Sequence, residues 1–145
     1  MAGETRDSDV DIDVAVVGAG PAGSATAITL AEAGLRVALI DKARFPRDKC
    51  CGDGLTTGAL RLLEQLDASP VSLPSWQEVD AAWVRSPSGR VVELRLPEGR
   101  GVYAAVVRRF ELDALLLERA RSAQCFPVHS KLAEGLGRGL FFCLR

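Results

Sequence analysis

The chain has 145 residues, 48% hydrophobic and 26% charged, with 18 Lys+Arg against 19 Asp+Glu and a formal net charge of −1. A chain of this length buries about 68–70% of its unfolded surface, enough for one globular domain without disulfides or a metal, and its apolar share excludes a disordered polar chain. The balanced charge argues against a nucleic-acid partner, Cys50, Cys51, Cys125 and Cys143 are too few and too unevenly placed for a disulfide scaffold, and no segment approaches the ~20 apolar residues of a membrane span.

Residues 1–11 form a polar, acidic lead, expected to be mobile, without the basic and apolar regions of a signal peptide. The expected compartment is a reducing cytoplasm with free thiols. Residues 12–17 (IDVAVV) are a short β-branched run and predict a buried strand. A glycine-rich turn follows at 18–23, with Pro21 suited to a first helical position. Residues 22–33 predict a helix, Gly34 its left-handed stop, and 35–40 (LRVALI) a second buried strand ending at Asp41. Strand, helix and strand together have the size of a βαβ unit.

Residues 42–55 read as a basic, glycine-punctuated loop. Thr56 or Thr57 caps a helix to about Leu66, with Leu62, Leu63 and Leu66 on one side. Residues 67–79 hold Pro70 and Pro74 and read as loop. Residues 81–85 and 90–96 predict a hairpin around Ser86-Pro87-Ser88-Gly89, and 102–107 a further strand. A leucine-rich helix is expected over 111–121. The tail from Ala123 has no clean period, and no strand in it is convincing.

The chemistry concentrates at Gly18-Ala19-Gly20-Pro21-Ala22-Gly23. Gly18 allows a tight turn, Gly20 lets backbone approach a pyrophosphate, and Gly23 lets the helix pack close to the sheet. The helix start offers free N–H groups and the positive end of its dipole. Each hydrogen bond to a charged phosphate contributes roughly 1.5–3 kcal/mol. A GxGxxG alone is weak evidence, but here a strand precedes it, a helix follows, and Asp41 stands where a ribose-binding acid is expected. The competing reading of Asp41 is a solvated strand end. An acid at this point disfavours a 2′-phosphate and hence NADP, and leaves NAD and FAD both open.

The stretch DVAVVGAGPAGSATAITLAEAGLRVALIDK resembles the N-terminal FAD-binding segment of the PHBH-like flavoprotein superfamily. The continuation FPRDKCCGDGLTTGALRLLEQL, and Arg109, Leu112 and Asp113 within VVRRFELDALLLERA, resemble the geranylgeranyl reductase family. The resemblance covers about 11–122 and implies an α/β fold: a Rossmann-like FAD-binding βαβ unit with a β-hairpin-containing insert, present as an incomplete domain. It implies FAD held by Gly18, Gly20, Gly23 and Asp41, with Pro21, Ala22 and Lys42 beside them. Lys49, Cys51, Gly52 and Gly54 are implied near the flavin or the substrate channel. Arg109 is implied to approach the FAD, where a guanidinium can grip a pyrophosphate with two parallel bonds.

Bland readings stand beside these. Arg44, Arg47 and Lys49 can simply solvate a loop. Arg108, not Arg109, can be the functional arginine. Cys50 and Cys51 can be inert, although neighbouring cations can also lower a thiol pKa. A zinc site from Cys125, His129 and Cys143 has poor spacing. No catalytic residue is legible.

The implied activity is reduction of isoprenoid double bonds by hydride from reduced flavin, with NADPH, NADH or ferredoxin as undetermined donor. The alternatives are a flavin monooxygenase or halogenase, an NAD-dependent dehydrogenase, and a non-catalytic FAD-binding fragment. An isoprenoid lipid substrate implies peripheral membrane contact in a longer form. Residues 123–145 are read as an atypical, frameshifted or truncated tail. On that reading the chain alone binds FAD weakly, exposes the apolar faces of its hairpin and last helix, and is inactive.

Overall fold

The computed structural model describes residues 11–99, 101–129 and 141–143. The acidic lead before Asp11, and the side chains of His129 and Cys143 named in the zinc alternative, lie outside the described residues. The chain divides into two units, one made of Met1–Ala43 with Ala120–Arg145, the other of Arg44–Arg119.

The first unit is built on β1 (Val14–Val17), α1 (Pro21–Glu32) and β2 (Val37–Asp41). β1 and β2 run parallel, Val14 opposite Val37 through Val17 opposite Ile40. Val16, Val37 and Leu39 are buried, as are Ala27 and Ile28 of α1. This is the βαβ unit that the apolar runs predict. Gly34, at φ +88°, ends the helix as expected.

The same sheet contains two strands that the sequence reading does not find. β8 (Phe126–His129) lies parallel to β2, and β9 (Phe141–Cys143) lies antiparallel to β1, giving the order β8-β2-β1-β9. The tail thus supplies the strand that an α/β domain requires after its last helix, which corrects the reading of no convincing strand. β8 is four residues long and contains Pro127, which a sheet tolerates at its edge, where β8 sits. A run this short with a proline in it has no legible period.

In the second unit, β3 (Gly54–Thr56), β7 (Ala104–Val106) and β4 (Gln77–Glu78) form an antiparallel sheet in the order β3-β7-β4. β3 and β4, three and two residues long, lie in segments read as loop. α2 (Thr57–Gln65) starts at Thr56, whose hydroxyl accepts the Ala59 N–H at 3.4 Å. Leu63 is buried and Leu66 half-buried, but Leu62 is exposed, so the expected three-leucine face is narrower than its spacing suggests. β5 (Ala81–Arg85) and β6 (Val91–Arg95) form the expected hairpin. Among the described residues they pair only with each other. α3 (Arg109–Ser122) begins in this unit, and Leu112, Leu116 and Leu117 are buried, contrary to the expectation of an uncovered last helix.

Candidate cofactor site

The glycine turn is shaped by two positions. Gly18 sits at φ +99°, where a side chain is strained, and its N–H donates to the Ile40 carbonyl at 2.7 Å. A Cβ at Gly23 would overlap the Gly18 carbonyl oxygen, so α1 reaches the turn only because Gly23 has no side chain. Gly20 is the N-cap in extended conformation, Pro21 takes the first helical position, and the first turn has no side-chain cap and no acid. An uncapped helix start behind a glycine turn is the donor set that a pyrophosphate needs.

Asp41 closes this turn from β2. Its Oδ2 accepts the Ala19 N–H at 2.7 Å and its Oδ1 accepts the Ala43 N–H at 2.8 Å. It is therefore no idle strand end. Each carboxylate oxygen keeps a second lone pair, so the ribose role and the turn-holding role are compatible. Ala22 and Lys42 are exposed. The structure thus brings Gly18, Gly20, Pro21, Ala22, Gly23 and Asp41 to one turn.

Loop 44–53 of the second unit carries the other set. Arg47, expected to solvate the loop, is only 19% exposed. It lies over the Phe45 ring at 4.9 Å, and its Nη1 is 3.2 Å from Asp113 Oδ2. That nitrogen is buried and out of line for a hydrogen bond, so the contact is an ion pair alone. Arg109 donates Nε–H to Asp113 Oδ1 at 2.7 Å and Nη2–H to Oδ2 at 2.9 Å. Two of its five N–H donors are thus committed to Asp113. The pairing raises the Arg109 pKa.

Of the two candidate arginines, Arg109 is the one built into the fold. Arg108 is exposed, with its backbone N–H donating to Ser75 Oγ at 2.9 Å. Ser75 Oγ in turn donates to Glu111 Oε2 at 2.7 Å, and the Ser75 N–H donates to the same oxygen at 2.9 Å. These donors hold Glu111 below the usual carboxylate range.

Cys50 and Cys51 are exposed free thiols. The Asp53 N–H, and after it the Arg109 guanidinium, hold the Cys51 thiol below its usual pKa. Asp53 has φ +54°, its carbonyl accepts the Val107 N–H at 3.0 Å, and its Oδ1 accepts the Arg109 N–H at 3.4 Å. Gly54 opens β3 opposite Val106, and Gly52 has open space where a Cβ would stand. Lys49 is exposed, with its N–H on Asp48 Oδ1 at 2.8 Å, and does not join the Cys51–Arg109–Asp113 group. Sequence reasoning passed over Ser75, Glu111, the partly buried pairing of Arg47 with Asp113 and the anchoring role of Asp113. Only the i,i+4 spacing of Arg109 and Asp113 was a readable signal.

Residues 11–137 match the model of the FAD binding domain family. The chain belongs to that family. Its cofactor is FAD, and the turn at Gly18 fits the diphosphate of such a group. The match runs past Ser122, where the motif resemblance ends. Menaquinone reductase of Mycobacterium tuberculosis is 62% identical over 109 residues, 72% of this chain and 26% of that protein. Geranylgeranyl diphosphate reductase of Rhodobacter capsulatus is 38% identical over 111 residues, 77% of this chain and 26% of that protein. These names agree with the resemblance to geranylgeranyl reductases. A solved flavin-dependent brominase superposes with TM-score 0.69 at 25% identity, covering 81% of this chain and 29% of that one. The chain therefore spans about a quarter of the length of the curated relatives it matches. Family membership makes it part of a flavoprotein oxidoreductase lineage. Among the described residues no helix is long and apolar enough to cross a membrane.

Proposed function

We propose that this chain carries the FAD-holding portion of a reductase that saturates isoprenoid double bonds. The observation that carries the reading is the uncapped turn at Gly18–Gly23 held by Asp41, in a chain 62% identical to a menaquinone reductase over 109 residues. The 38% identity to a geranylgeranyl diphosphate reductase supports an isoprenoid lipid as substrate class.

In this reading Gly18, Gly20, Pro21, Ala22 and Gly23 face the diphosphate, with the helix start donating N–H groups. Asp41 accepts the ribose hydroxyls while holding the turn, with Lys42 beside it. Lys49, Cys51, Gly52, Gly54 and Arg109 line the flavin or substrate side. Bound flavin in its reduced form supplies the hydride. The chain's own task is to bind, orient and exclude water.

The brominase likeness supports a second reading, flavin-dependent halogenation on the same fold. The test is anaerobic turnover, with geranylgeranyl diphosphate and with menaquinone, of the whole FAD-loaded reductase that carries this portion, chemically reduced. The expected product is the lipid carrying two more hydrogens, read by mass spectrometry. Unchanged lipid, with bromide incorporated into an aromatic acceptor once oxygen is admitted, would overturn the reading in favour of the second.

A further inference from the structure

Loop 44–53 is fastened at two points, and the two fastenings differ in kind. At its end, the Asp53 carbonyl accepts the Val107 N–H at 3.0 Å and Asp53 Oδ1 accepts the Arg109 N–H at 3.4 Å. Gly54 then enters β3 opposite Val106, so this end runs directly into a sheet. Nearer its start, Arg47 reaches Asp113 of α3, with Nη1 3.2 Å from Oδ2. Asp113 is fully buried, and Arg109 already donates to both of its oxygens, at 2.7 and 2.9 Å. The Arg47 Nη1 is itself buried and makes no hydrogen bond.

A buried donor without a hydrogen bond weakens the contact it belongs to, whereas attraction between buried charges is little screened. Arg47 is therefore held to Asp113 by charge, with the Phe45 ring 4.9 Å from the guanidinium carbon. Arg109 is held by two directional bonds as well. Between the two fastenings residues 48–52 are all exposed, and the hydrogen bond from the Lys49 N–H to Asp48 Oδ1 is local to them.

We propose that the Arg47–Asp113 ion pair is a releasable latch, and that its opening frees residues 48–52 to move about the firm fastening at Asp53. The inference rests on the reading that Lys49, Cys51, Gly52 and Gly54 line the flavin or substrate side. On that reading the latch controls entry to that side. The geometry also fixes what the latch requires. A contact made by charge needs a cation at position 47 and not a guanidinium fork.

The experiment is limited trypsin digestion of the full chain without FAD, with the initial cleavage rate at the Lys49–Cys50 bond read by mass spectrometry. Rates are taken relative to cleavage after Arg90 in the hairpin, so that a general loosening cancels. With fast opening and closing, the rate follows the population of the open loop, and Arg47→Gln should raise it by about fivefold or more. Arg47→Lys should stay within about twofold of wild type, because the charge remains. A wild-type rate in Arg47→Gln overturns the proposal. Equal acceleration in both variants overturns it too, since the shape of the guanidinium and not its charge would then hold the loop. Should Arg47→Gln no longer unfold cooperatively, Phe45→Leu decides, because it removes the ring beside the guanidinium. Faster cleavage there supports the latch, and a wild-type rate removes it. Since no flavin is present, failure here leaves the FAD reading standing. Conversely, absence of FAD binding would remove that reading without changing these rates.

Discussion

Strands β2 and β6 are both five residues long and both rich in branched apolar side chains, VALID in one and VVELR in the other. Val37 and Leu39 of β2 are 0% and 1% exposed, whereas Val91, Val92 and Leu94 of β6 are 50%, 49% and 52% exposed. β2 pairs with β1 on one side and β8 on the other, and α1 packs against it. Among the described residues β6 pairs with β5 alone, and on the apolar face that the two strands share (Ala82, Val84, Val92, Leu94) Val84, Val92 and Leu94 are exposed. Local sequence makes the strand in both cases. Whether the strand contributes about 1.5–3 kcal/mol per buried side chain depends on what covers it. A two-stranded hairpin without such cover is marginal in water.

The largest effect expected from breaking the well-covered side comes from Gly23→Ala. The new Cβ meets backbone at Gly18, which cannot step aside as a side chain can. Overpacking typically costs about 1–3 kcal/mol and more against rigid neighbours. Against fixed backbone the loss in thermal unfolding should exceed that range and match or surpass the truncation of a buried leucine, with FAD fluorescence titration showing lost binding. Wild-type affinity in this variant would rule out the close helix approach.

Next in size is the paired test of the two strands. Leu39→Ala should destabilise by about 2–5 kcal/mol, as for a buried leucine. Leu94→Ala should stay within about 0.5 kcal/mol, because most of its surface is already in water. Denaturant midpoints check both, and equal losses would end the contrast between β2 and β6.

Asp41→Asn comes third. An asparagine can satisfy one of the two N–H donors with its carbonyl and must face the other with its own amide. Hydrogen bonds to a charged acceptor are worth about 1.5–3 kcal/mol, and one of the two is lost. Faster amide exchange at Ala19 or Ala43 in the FAD-free protein is the expected sign. Unchanged exchange at both would reduce Asp41 to a ribose ligand only.

The smallest effect lies at Glu111. Its folded pKa is depressed below 4.5, so its contribution is complete above that value and is lost as pH falls through the folded value. Ser75→Ala should therefore lower the melting temperature at neutral pH, and the gap to wild type should narrow in acid. A gap that widens in acid would mean that Ser75 does not act through the Glu111 carboxylate.

The βαβ unit was legible because each of its steps leaves a local mark. Runs rich in valine, isoleucine and leucine mark the strands, Gly18 and Gly23 mark the turn, and Gly34 marks the helix end. The hairpin was legible for a similar reason, through Ser86-Pro87-Ser88-Gly89. β3, β4 and β8 were not, since two to four residues cannot establish a period and Pro127 argues against a strand unless its edge position is known. In the candidate site, the glycines and Asp41 were readable from spacing. The Arg47–Asp113 contact joins residues 66 positions apart, and nothing in either segment names the other.

The sequence by itself determined the α/β class, the dinucleotide turn and the family to which it belongs. These depend on backbone conformations that a few residues within about thirty positions dictate. Tertiary structure alone decided that Asp113 is buried, that Arg109 spends its fork on it, and that β2 is covered where β6 is not. Burial and ion pairing depend on which distant segments meet, and a local pattern of apolar and charged residues is the same before and after they do.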